Sequence, residues 1–360
     1  MEKKIAVLKG DGIGPEVTDQ ALKALKAIEQ VYGHKFSYTE GLIGAVAIDA
    51  TGNPFPDATF EVCQSADAIL FGAIGDPKYD NDPKATVRPE QGLLKMRKSL
   101  GLFANIRPIN TYKILANASP LRADLVEGVD FIVFRELIGG IYFGEKGRRD
   151  NGNVAFDNCT YSKEEVIRVS TLAFEAARNR RKKLTLVDKA NVLETSRLWR
   201  EVVKDLSAKY SDVEVDCMFV DNAAMKIIQN PRYFDVIVTE NMFGDIITDE
   251  ASVITGSLGM LPSASIGSKT GLYEPIHGSY PEAAGKNIAN PNGSILSAAM
   301  LLEMSFGLRE EAAAIRNAVE NCLNAGIVTM DIKKESKYTT SQIGDKVAEF
   351  IKAKSKTLQA

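Results

Sequence analysis

The strongest constraint on how this chain can fold is an alternation in its hydrophobic pattern. Short runs rich in β-branched and aromatic residues recur, separated by stretches with helical spacing. IAVL (5–8) precedes a helix opened by Pro15, and DAILFGAI (67–74) ends in a loop of Gly, Pro and Asp. LFANIRPI (102–109), FIVFREL (131–137), KLTLVDK (183–189), VDCMFVD (215–221) and DVIVTEN (235–241) read as further strands. Among them, Ser162 and Glu165 have capping-box spacing ahead of the amphipathic stretch VIRVSTLAFEAARNRR. The C-terminal third predicts helices at SILSAAMLLEMSF, EEAAAIRNAVENCLNAG and GDKVAEFIKAK. The alternation predicts an α/β fold. A length of 360 residues suits about two domains, and the lack of a linker predicts that they interleave.

Composition narrows the function classes. A net charge of -3 with 25% charged residues lacks the basic surplus of a nucleic-acid binder. No apolar run approaches the ~18 residues that span a bilayer, and the N-terminus does not read as a signal peptide. Cys63, Cys159, Cys217 and Cys322 are widely spaced, which predicts buried free thiols in a reducing cytoplasm. His34 and His277 are the only histidines, too few for a His-based zinc site or a Ser-His-Asp triad. A divalent metal would therefore be held by oxygen, which favours magnesium or manganese.

The glycine cluster GDGIGPE (10–16) has G-x-G-x-G spacing followed by proline, and no acidic residue closes a strand about 20 residues on. It predicts a strand-to-helix turn with Pro15 at the first helical position rather than a Rossmann phosphate loop. The ends of the other strands are more informative. Arg97 and Arg107 flank LFANI, Arg135 ends FIVFR, Lys189 ends LTLVDK, Asp221 ends CMFVD, and Asp245 and Asp249 follow VIVTEN. In α/β sheets ligands bind beyond the carboxyl ends of strands. Each residue alone fits a surface charge, and ENMFGDIITDE alone fits a helix start with one capping and one solvated acid. Together, three guanidiniums suit a dicarboxylate, and three carboxylates suit a divalent cation. At i, i+4, Asp245 and Asp249 lie on one helix face and can reach one ion if Asp221 joins them.

These residues sit in long motifs that resemble the metal-dependent decarboxylating β-hydroxyacid dehydrogenases, the isocitrate/isopropylmalate group. The motifs run in the family's order: GDGIGPE, GLLKMRKSLGLFANIRP (92–108), RELIGGIYFGEKG (135–147), VDKANVLETSRLWREV (187–202) and FVDNAAM (219–225). ENMFGDIITDEAS (240–252), GSLGMLPSAS (256–265) and YEPIHGSYPEAAGKNIANP (273–291) complete the series. The resemblance implies a two-domain isopropylmalate dehydrogenase-like fold that is not a standard Rossmann fold. A large cofactor domain would comprise 1–102 and 256–360, and a small domain 103–255 would carry metal and substrate residues and a dimer interface.

Carried over residue by residue, the resemblance makes Arg97, Arg107 and Arg135 the carboxylate clamps, with Asp221 also touching substrate. Asp221, Asp245 and Asp249 would hold one Mg2+ or Mn2+, Lys189 would be the general base and Tyr142 the general acid. NAD would lie against the loop 75–90, through Gly75, Asp76, Pro77 and Glu90, with Glu274 nearby. The segment 277–291 would complete its site with His277, Gly278, Ser279, Glu282, Ala284, Gly285, Lys286, Asn287 and Asn290. Lys189 and Asp221 would serve a neighbouring subunit's site, making the enzyme a homodimer.

Leu93, Leu94 and Val192 stand where the family sets specificity. Apolar side chains there imply 3-isopropylmalate as substrate: burying three substituent carbons is worth about 2.4 kcal/mol, or roughly 10- to 200-fold over malate. They would leave the third carboxylate of isocitrate without a partner. Glu282 replaces the aspartate usual in NAD-using relatives, and Tyr280 replaces a common alanine. The carboxylate would still repel a 2′-phosphate, so NAD is expected over NADP. A sibling enzyme for tartrate, D-malate, homoisocitrate or a methylthioalkylmalate is the alternative. A non-catalytic subunit is disfavoured because every catalytic type is present.

Overall fold

A computed structural model of the chain describes residues 1–81 and 85–358. The loop 75–90 thus includes positions 82–84, which lie outside the described residues. The strands are β1 Glu2–Gly10, β2 Lys35–Glu40, β3 Ala68–Ala73, β4 Ala104–Asn110, β5 Asp130–Glu136 and β6 Lys146–Arg149. They continue with β7 Val154–Asp157, β8 Lys183–Asp188, β9 Glu214–Phe219, β10 Val236–Thr239, β11 Pro262–Ile266 and β12 Gly271–Pro275. The chain divides into two compact units, Met1–Leu102 with Ser257–Ala360, and Phe103–Gly256.

In the first unit the strands run β2-β1-β3-β12-β11. β1 is parallel to β2 and β3, β12 is parallel to β3, and β11 returns antiparallel to β12. β3 is buried along its whole length, as expected of a parallel strand covered on both faces. Ala6, Leu8, Ile69, Phe71 and Leu272 from the strands pack with Phe55, Cys63 and Met96. The helix Asn292–Phe306 is apolar nearly all round and correspondingly buried.

In the second unit the order is β4-β5-β10-β8-β9. β4 is antiparallel to β5, while β5, β10, β8 and β9 are mutually parallel. Register aligns their carboxyl ends: Arg135 stands beside Thr239, Thr239 beside Val187, and Asp188 beside Phe219. Arg135, the Asn241–Ile254 helix, Lys189 and Asp221 therefore leave one edge of one sheet. That helix buries Phe243, Ile247, Ala251 and Ile254 at helical spacing, and the last three pack with Phe131, Val133, Val187 and Ile237.

All seven sequence-read strands are present, with ends shifted by a few residues. Five were missed, being short, exposed or broken by Pro, Ser and Gly. β2 is a largely exposed edge strand, β6 and β7 pair as a short, mostly exposed hairpin, and β11 and β12 are short and rich in Pro, Ser and Gly. The first helix begins at Gly14, so Pro15 lies one place later than expected. Ser162 and Glu165 do form a reciprocal capping box, and the C-terminal helices lie at Asn292–Phe306, Arg309–Asn324 and Thr340–Leu358. Cys63 and Cys322 are buried free thiols, but Cys159 is half-buried and Cys217 exposed, on the solvent side of edge strand β9. Among the described residues no helix is long and apolar enough to cross a membrane.

Candidate active site

The second unit gathers five of the expected residues into one bonded cluster. Arg107 Nε donates to Asn105 Oδ1 at 2.8 Å, and its NH1 to Thr248 Oγ1 at 2.7 Å and Asp249 Oδ1 at 3.0 Å. Arg135 donates from NH1 to Asp245 Oδ1 at 2.6 Å, and Tyr142 Oη donates to Asp245 Oδ2 at 2.9 Å. The two guanidiniums are 11% and 5% exposed, while Asp249 is 72% exposed. Two desolvated cations thus face a partly open pair of carboxylates, the charge balance that buried arginines require. Burial, then the charge of Asp245, pushes the Tyr142 hydroxyl above its usual range, so it stays protonated at neutral pH.

The helix places these groups because its buried stripe turns Asp245 and Asp249 outward, one turn apart. Neither aspartate caps it. Glu240 does, accepting from the backbone N–H of Phe243 at 3.1 Å, and burial holds its carboxyl above the ordinary range. Gly244 lets the helix meet Arg135, since a Cβ there would lie 2.6 Å from Arg135 Cγ.

Lys189 and Asp221 form a separate pair. Lys189 Nζ donates to Asp221 Oδ1 at 2.6 Å, a bond that holds the Asp221 carboxyl below the usual range. Among the described residues no three His, Cys, Asp or Glu side chains gather as a metal-holding group. Asp221 therefore does not join Asp245 and Asp249 within one chain. The donors on both sides are carboxylate oxygens, which suit a hard divalent cation when the two sets are combined.

In the first unit Arg97 NH2 donates to Glu274 Oε1 at 2.9 Å, and its Nε is buried without a partner. Leu93 packs partly against the core, whereas Leu94 is 39% and, in the other unit, Val192 62% exposed. The cofactor positions also come together. Asp11, buried in the glycine cluster, accepts from Gly75 N–H at 2.9 Å, and Ile13 N–H donates to Ser279 O at 2.8 Å. Gly12 has φ 57° and comes so near Ser279 O that a Cβ would lie 2.0 Å away, which explains the G-x-G-x-G spacing as close packing. A Cβ on Gly75 would be 3.1 Å from Glu90 Oε1 and 3.4 Å from Ser279 Oγ.

Asp76 accepts from Lys78 N–H and so caps the short helix that Pro77 opens. Glu282, Ala284, Gly285 and Lys286 are exposed, as is Gly278. The side chains of Asn287 and Asn290 are engaged with Ser341 and Asp331. His277 Nδ1 meets Gly278 O at 2.9 Å, and its Nε2 is buried with no partner. Burial lowers its basicity, leaving a neutral ring whose free nitrogen accepts. An acceptor shielded from water among exposed glycines fits a ligand bearing N–H or O–H donors, as a dinucleotide does.

Sequence reasoning missed Asn105, Asn241, Thr248 and Asp11. Two of these left a signal. Asn105 is two residues from Arg107 on one strand face, and Asn241, Asp245 and Asp249 form one stripe at i, i+4, i+8.

The sequence profile of the isocitrate/isopropylmalate dehydrogenase family matches residues 4–347. A 3-isopropylmalate dehydrogenase of Bacteroides fragilis is 55% identical over 98% of this chain and 99% of its own. One of Priestia megaterium is 55% identical over 98% and 96%. The crystal structure of isocitrate dehydrogenase from Methylococcus capsulatus superposes with a TM-score of 0.87 at 32% identity, covering 97% of this chain and 99% of that one. The chain belongs to the isocitrate/isopropylmalate dehydrogenase family.

Proposed function

We propose that this enzyme oxidatively decarboxylates (2R,3S)-3-isopropylmalate to 4-methyl-2-oxopentanoate through 2-isopropyl-3-oxosuccinate, in leucine biosynthesis. The cluster of Arg107, Arg135, Tyr142, Asp245 and Asp249 carries the reading, because it sets carboxylate clamps beside a protonated phenol and two outward acids. The names and identities of the relatives support the substrate. Arg97, Arg107 and Arg135 bind the malate carboxylates. Lys189 takes the proton from the C2 hydroxyl, and Tyr142 later gives a proton to the carbon that loses its carboxylate. Leu94 and Val192, exposed and apolar, take the isopropyl group, with Leu93 behind.

NAD, when bound, accepts the hydride, and Mg2+ or Mn2+ offsets the charge growing on the substrate oxygens. Asp245 and Asp249 hold that cation with Asp221 of the partner subunit, and the base is Lys189 of the partner subunit. A homodimer is also supported by Met225, Ile228, Ile246 and Val253, apolar residues exposed on two helices of the second unit. Glu282 faces the adenosine ribose. The free thiols fit a cytoplasmic enzyme.

The test is NADH production with Mn2+ from 3-isopropylmalate, isocitrate, malate and tartrate. Isopropylmalate should lead malate by roughly 10- to 200-fold in kcat/KM. A preference for any other substrate overturns the assignment.

A further inference from the structure

One buried amide joins the guanidinium of Arg135 to the turn that carries Tyr142. Asn241, the first residue of its helix, has no exposed surface. Its Oδ1 accepts from Arg135 Nε at 3.0 Å and NH2 at 2.8 Å. Its Nδ2 donates to the carbonyl of Gly139 at 3.0 Å. The orientation is fixed, because a flipped amide would face the guanidinium with donors and the carbonyl with an acceptor.

The turn itself is gripped from several sides. The Gly139 N–H donates to Glu136 Oε2 at 2.7 Å, and Glu136 also accepts from Arg168 at 2.8 Å. The backbone N–H of Asn241 donates to Tyr161 Oη at 3.0 Å. Tyr161 lies so close below the turn that a Cβ on Gly140 would be 2.2 Å from that oxygen. Tyr142 follows within the same 3-10 turn, Gly140–Tyr142. Its ring lies 5.9 Å from the Arg135 guanidinium carbon.

We infer that Asn241 is a positioning residue that fixes the turn carrying the proton donor Tyr142 relative to the substrate clamp Arg135. The inference rests on the proposed roles of those two residues. Each half of the amide serves a different step. The oxygen sets the clamp and so acts on substrate binding. The nitrogen sets the turn and so acts on proton delivery, where displacement by about 1 Å costs on the order of a hundredfold.

Asn241→Asp separates the halves, since it keeps an acceptor toward Arg135 and puts an oxygen against the Gly139 carbonyl. Equilibrium binding of isopropylmalate with Mn2+ should change by less than about threefold, while kcat falls about tenfold or more. In a Tyr142→Phe background the same substitution should lower kcat by less than about twofold further, since groups acting as a unit are not additive. Unchanged kcat, or the same fold-loss in both backgrounds, overturns the inference alone. Wild-type turnover of Tyr142→Phe overturns the acid assignment and this inference with it. Should Asn241→Asp fail to fold, as read by circular dichroism, Asn241→Ser enters the same cycle with the same decisive outcome.

Discussion

Gly244 sits inside a helix, where glycine costs about 1 kcal/mol relative to alanine. A methyl group there would collide with Arg135, at 2.6 Å from Cγ and 2.8 Å from Cβ. Gly244→Ala should therefore lower the melting temperature, because Arg135 Cβ is held by its buried strand and overpacking of about 1–3 kcal/mol outweighs the better helix former. The displaced guanidinium should raise KM for isopropylmalate about tenfold or more. Thermal melts with steady-state kinetics check this, and an unchanged KM would show that Arg135 does not clamp substrate. At this scale the sequence was legible where an unusual residue type stood beside an apolar run. Arg107, Arg135, Asp245 and Asp249 stood out because charge is costly next to buried strands. Asn241, despite its spacing to Asp245, reads equally well as a helix cap after a strand, and Thr248, in mid-helix, carries no signal of its own. Thr248 accepts from Arg107 at 2.7 Å and Asn241 from Arg135, contacts that only the fold creates.

The Asn241–Ile254 helix is the element on which the site depends, and Glu240 starts it. Glu240→Ala removes the acceptor for Phe243 N–H and should cost about 1 kcal/mol, as lost caps do. Glu240→Gln keeps that acceptor and removes a buried charge. Burial raises the Glu240 carboxyl above its ordinary 4.5, so its ionised form is the disfavoured one in the folded state. Such a group helps the fold fully below the unfolded value, and the help fades as pH rises through the folded value. Glutamine is neutral throughout. Glu240→Gln should therefore melt above wild type at pH 7, with the gap closing as pH falls toward 4.5. Melts that coincide at every pH would mean that the burial penalty on the carboxylate is fully compensated. Elements were legible where they carry an apolar run, and burial alone was not enough, since β11 and β12 are buried but were missed. β3 and β10, buried throughout, were plain, whereas β6 and β7 pair through backbone and bury little. KGRR has no apolar face, and VAFD sets only Val154 and Phe156 on one, too short a pattern to mark a strand.

For the whole molecule the decisive fact is that Lys189 and Asp221 bond each other, while Arg135, Tyr142, Asp245 and Asp249 form another group. The sequence supplied both sets of residues, but spacing along a chain cannot tell which copies meet. The proposed dimer unites them across two subunits, so two-fold symmetry makes two shared sites. Consider a Lys189→Ala chain and an Arg135→Ala chain, each inactive as a homodimer. In a mixed dimer one site collects both defects. The other takes Arg135 from the first chain and Lys189 from the second, and is intact. Random reassortment makes about half of all dimers mixed, so roughly a quarter of all sites should recover. Activity after co-refolding the two inactive variants measures this directly. Mixing without refolding is the control, because dimers that do not exchange should stay inactive. No recovery, with mixed dimers demonstrated by differently tagged chains, would mean that each subunit builds its site alone.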